Sequence, residues 1–141
     1  EALAAGGSTI VVLPQGLLTY IVPTPFVSAL RAGRLLLVSE FAPDAGWATH
    51  AAVTRNATIS ALSRLVCVIE PHSVNGSLLT ARHALDQGKR VFHAGLSAMH
   101  PLERRPGAEP LLDKSGYFDS NRLLQAFRLS NTPAPDQQWM C

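Results

Sequence analysis

The stretch VNGSLLTA, residues 74–81, sets Gly76, Ser77 and Thr80 where an apolar run gives way to a helical pattern. A helix starting near Ser77 would turn the free N–H groups of its first turn outward, with the positive end of the helix dipole behind them. Gly76 would then let a phosphate oxygen approach the backbone, and the hydroxyls of Ser77 and Thr80 would add donors. The same residues also suit a turn and helix cap that bind nothing. Neither the G-x-x-x-x-G-K-[ST] loop nor G-x-G-x-x-G is present. Arg55 and Asn56 lie in a second helix-like stretch made otherwise of Ala, Thr, Val and Ile. An arginine there either snorkels to solvent or grips an anion through its planar fork, while Asn56 offers both a donor and an acceptor. Glu40 and Glu70 each end an apolar run, where a carboxylate can serve acid–base chemistry, hold a ribose hydroxyl or cap a helix.

Other chemistries are not indicated. The five histidines show neither HxxxH nor HExxH spacing, so no metal or other cofactor is expected. Ser73 and Ser77 stand close to His72, but the G-x-S-x-G elbow is missing, which disfavours nucleophilic catalysis. Trp47, Arg55 and Arg82 are candidates for a single-stranded nucleic-acid groove, although aromatic residues make up only 6% of the chain.

Residues of these kinds need a scaffold that brings loop ends together. Four apolar runs, at 8–13, 34–41, 64–70 and 90–95, are continuous rather than alternating, as expected of parallel strands covered on both faces. Residues 49–63 and 77–88 are long enough for crossover helices, Gly88 sits where a left-handed cap would end the second, and a shorter helix is expected over about 25–32. This alternation predicts an α/β, Rossmann-like doubly wound fold with a mostly parallel sheet. In such sheets ligands gather beyond the carboxyl ends of the strands, which draws attention to Gly16, Ser39, Glu40 and residues 70–77. Beyond Gly95 the sequence is rich in Pro and Arg and reads as an irregular extension, residues 96–141, with one short helix over 119–129 capped by Asp119 or Ser120.

Composition bounds the partners. The 141 residues are 47% hydrophobic and 16% charged, enough for one ordinary core. A net charge of +2 does not by itself announce nucleic-acid binding. Cys67 and Cys141 form no disulfide framework, and no apolar run approaches the roughly 20 residues that span a bilayer. A cytoplasmic protein without a membrane partner is expected.

Taken in order, GGSTIVVLPQGL, LLLVSEFAP and RNATISALSRLVCVIEPHSVNGSLLTARHALDQGKRVFHAG resemble the Rossmann-like domain of the DNA-processing protein A family (DprA, also called Smf). The wider superfamily includes the cytokinin-activating phosphoribohydrolases. The resemblance runs from about Gly6 to Gly95 and makes residues 1–95 the C-terminal part of such a domain, with the family's first strands and its SGLARGID-type segment lacking a counterpart. It matches Ser39, Glu40 and Phe41 to the family's SEF, Arg55 and Asn56 to its RN, residues 76–81 to its GSLLTA, and Gly16 with Leu17 to its GL. What it implies is a binding module rather than an enzyme. The implied ligand is single-stranded DNA or nucleotide phosphate, held at a pocket formed by the helix start at Gly76 to Thr80 and backed by Arg55. It further implies loading of RecA in natural transformation and self-association. The alternative is a nucleotide enzyme or sensor resembling the nucleoside monophosphate phosphoribohydrolases. Thr54 and Ala57 stand where the family usually has basic residues, which should lower the salt dependence of DNA binding. The missing strands would leave open sheet edges, to be closed by the rest of a larger protein or by a second chain.

Overall fold

In a computed structural model, the described residues are 1–69, 76–94, 102 and 105–129. They form an α/β arrangement of parallel strands and helices, in the order β1 (Thr9–Val12), α1 (Thr24–Arg31), β2 (Leu35–Val38), α2 (Thr49–Leu62), β3 (Leu65–Ile69), α3 (Gly76–Asp86), β4 (Arg90–Ala94), β5 (Ala108–Pro110) and α4 (Ser120–Leu129). Two compact units result, Glu1–Ile59 and Ser60–Cys141.

In the first unit β1 and β2 pair in parallel, with Thr9 opposite Leu35 and Val12 opposite Val38. The connecting helix α1 starts at Thr24 with Pro25 in its first turn, where the missing N–H is no loss. It ends at Gly33, whose φ of +68° lets the chain reverse while Arg34 N–H donates back to Ala29 O at 2.9 Å. Arg34 is used structurally, its Nη1 donating to the carbonyls of Leu3 and Gly7.

In the second unit the parallel sheet has the order β3-β4-β5. On one side of β4, Val91 joins Val66, Val68, Ala81, Ala84 and Leu102, so the apolar face of α3 lies on the sheet. On the other side Phe92 and Ala94 meet Leu111 and Ala126 of α4. β4 is therefore the strand covered on both faces, and Val91 and Phe92 have no solvent exposure. Gly88 closes α3 at φ +69°, with Lys89 N–H donating to Ala84 O. Asp119 caps α4, its Oδ1 accepting from Arg122 N–H at 2.9 Å.

Two features depart from the sequence expectation. Among the described residues, coverage on both faces holds for β4 alone, since β3 alternates and Ile10, Leu36 and Ile69 are exposed on β1, β2 and β3. Continuous apolar runs persist there although the described residues cover one face only. The sequence reading also missed β5, which adds to β4 in the register Val91 with Ala108 and His93 with Pro110. Among the described residues no helix is long and apolar enough to cross a membrane.

Phe92 is fully buried in the face of β4 that packs on Leu111 and Ala126. Phe92→Ala is expected to lower stability by about 3–5 kcal/mol, read as the denaturant midpoint followed by circular dichroism. An unchanged midpoint would mean that β4 does not hold this unit together.

Candidate anion-binding site

The carboxyl ends of β1 and β2 are joined by a backbone clasp. Gly16 N–H donates to Ala45 O and Leu18 N–H to Pro43 O, each at 2.8 Å. Thr19 Oγ1 also donates to Ala45 O, at 2.8 Å. Ser39 Oγ donates to Gln15 O at 2.7 Å and accepts from Phe41 N–H, so the serine of SEF ties one strand end to the other. A side chain at Gly16 would collide with the carbonyl oxygens of Ala42 and Pro43, which explains the glycine by close approach rather than by backbone angle. The Gly16 amide is thereby engaged within the clasp.

Arg55 approaches the same strand end from α2. Its Nη1 donates to Val12 O, at the last residue of β1, over 2.8 Å. Its Nε is buried and meets no acceptor among the described residues. No ion pair among the described residues uses Arg55. A guanidinium fixed by one nitrogen, with a dry N–H left over and no ion pair among the described residues, is an incomplete anion clamp. Asn56, by contrast, is enclosed at 8% exposure. Glu40 Oε1 accepts from Thr58 Oγ1 at 2.8 Å, which fastens the glutamate to α2 rather than leaving it free.

The remaining predicted residues belong to the second unit. Gly76 and Ser77 are exposed in the first turn of α3, where helix amides lack intrahelical acceptors. Thr80 Oγ1 donates to Gly76 O at 3.0 Å, so its proton is turned into the helix while its lone pairs stay available. Glu70, His72 and Asn75 lie outside the described residues. The structure thus brings Gly16, Ser39, Glu40, Arg55 and Asn56 into one unit, and Gly76, Ser77 and Thr80 into the other. Sequence reasoning missed Val12 O, the 42–45 segment and Thr58. A main-chain acceptor or a packing surface leaves no mark in residue type.

The chain matches the profile of the family DNA recombination-mediator protein A over residues 1–115. It is 43% identical over 96 residues to Protein Smf of Escherichia coli (strain K12), covering 64% of this chain and 25% of that protein. The structure is similar to that of DNA processing protein A (DprA) from Streptococcus pneumoniae, with a TM-score of 0.61 and 26% identity over 84% of this chain and 45% of the other. It is also similar in fold to DNA processing protein A from Helicobacter pylori, studied for its single-stranded DNA binding mode. There the TM-score is 0.62 and the identity 22%, over 82% of this chain and 56% of that one. The chain therefore spans a quarter of the curated relative and about half of the two solved structures.

The clasp makes a sharp prediction. Gly16→Ala is expected to destabilise the protein by about 1–3 kcal/mol through overpacking, whereas Gly46→Ala, where the added methyl meets open space, is expected to be nearly neutral. Thermal melts of the two variants should separate clearly, and equal melting temperatures would show that the 42–45 segment yields freely.

Proposed function

The chain belongs to the DNA recombination-mediator protein A family, and from that premise we propose that it binds single-stranded DNA through backbone phosphates. The observation that carries the proposal is Arg55, held at Val12 O with its Nε buried and unpaired. A buried donor without an acceptor costs about 1–3 kcal/mol, and a phosphate oxygen would remove that cost while neutralising the charge. In this reading Ser39, Glu40 and Gly16 hold the strand ends that present Arg55, and Asn56 supports the helix from within. In the second unit, the exposed amides of Gly76 and Ser77 and the Ser77 hydroxyl form a separate phosphate contact at the start of α3, with Thr80 as an acceptor. The ligand is non-specific in sequence, because these groups address phosphate and sugar rather than base edges.

Handing the bound strand to RecA, as the family resemblance implies for natural transformation, is proposed as the later step of the longer protein. The outer edges of β1, β2 and β3 have no partner strand among the described residues, and Ile10, Leu36 and Ile69 are exposed on those strands. These are the places where further strands of a longer chain, or a second copy, would join.

The test is fluorescence anisotropy with labelled oligothymidine across a salt series. Arg55→Ala is expected to weaken binding and to reduce the slope of log K against log salt by about one. Unchanged affinity and slope would remove Arg55 from the interface. Displacement of the oligonucleotide by a nucleoside monophosphate at matched phosphate concentration would identify a nucleotide site instead.

A further inference from the structure

The second unit carries a pocket of about 60 Å³ lined by Leu78, Arg82, Leu85, Leu102 and Arg105. Leu78, Arg82 and Leu85 fall at i, i+4 and i+7 along α3 and so share one face. Leu102 is 3% exposed and belongs to the core beneath, so the floor is apolar and firmly packed. Two exposed guanidiniums stand over it.

These arginines differ from most of the unit's other cations. Arg90 pairs with Glu109, and Arg122 reaches both Glu109 and Pro110 O. Lys89 donates to the carbonyls of Ala61 and Ser63, and Arg64 lies over the Phe127 ring. No hydrogen bond or ion pair engages the guanidinium of Arg82 or Arg105 among the described residues. Two like charges at one rim, neither in an ion pair among the described residues, favour an anionic occupant.

We propose that this pocket docks an acidic segment of a protein partner, with an aliphatic side chain inserted between Leu78, Leu85 and Leu102 and flanking Asp or Glu carboxylates on Arg82 and Arg105. The size selects the anchor, since the volume corresponds to about four to six water-sized spheres, close to a short aliphatic side chain. Nucleic acid is disfavoured because a sugar-phosphate backbone brings no aliphatic group to fill the apolar floor formed by Leu78, Leu85 and Leu102. Planar guanidiniums suit carboxylates through paired N–H donors. Arg55, Gly76, Ser77 and Thr80 are not among the residues that line it.

The experiment titrates the chain with a labelled peptide, Asp-Glu-Asp-Leu-Glu-Asp, and with the same peptide carrying Ser in place of Leu. Arg82→Ala and Arg105→Ala are each expected to weaken binding of the first peptide about three- to tenfold, with the double variant losing it. The serine peptide is expected to bind at least about threefold more weakly than the leucine peptide. Arg55→Ala should leave peptide affinity unchanged, which separates this site from the DNA reading. Both arginines are exposed, and circular dichroism of the variants confirms that they remain folded. Absence of saturable binding up to about 1 mM peptide, equal binding by the double variant, or loss of oligothymidine binding in place of peptide binding would each overturn the proposal.

Discussion

A single hydrogen bond, from the Arg55 guanidinium to the carbonyl of Val12, decides where the first unit places the charge of Arg55. The carbonyl is fixed because β1 is paired through Val12 with β2. The arginine is fixed because α2 is tied to the other strand end through Thr58 and Glu40. The guanidinium is held by one nitrogen and keeps a dry, unpaired Nε. Preorganisation of this kind spares a ligand the entropy of ordering a long side chain, so that more of its interaction with phosphate is left for affinity.

The clasp around Gly16 serves that arrangement. With the amides of Gly16, Leu18 and Thr19 and the carbonyls of Pro43 and Ala45 engaged in it, the loop keeps the strand ends close. Glycine is required there by contact with other backbone, in contrast to Gly33 and Gly88, which are required by left-handed angles. In the second unit β4 plays the corresponding part. Its two faces pack on α3 and on the Leu111 and Ala126 side, and so set the position from which α3 presents its first turn and its Leu78, Arg82, Leu85 face.

Much of this was legible in the residues. The apolar runs located β1 to β4, and periodicity with Gly88 and Asp119 located α3 and α4. Residues Ala108–Pro110 escaped because a strand of three residues containing Glu and Pro carries no pattern, and only its register with β4 defines it. Exposure of Ile10, Leu36 and Ile69 escaped for a related reason, since an apolar run does not say which element covers it. Arg55 was marked by its apolar surroundings and by resemblance to the family's RN pair, but its anchor is a main-chain oxygen 43 positions away. The Gly16 contacts likewise join backbone more than twenty residues apart, where local sequence holds no signal.

The most direct test is the Nε–Hε signal of Arg55 in a proton–nitrogen NMR spectrum, followed as oligothymidine is added. An arginine that completes its hydrogen bonds on phosphate will shift this signal and slow its exchange with water in step with saturation. A signal that stays in place while the strand binds would contradict the account.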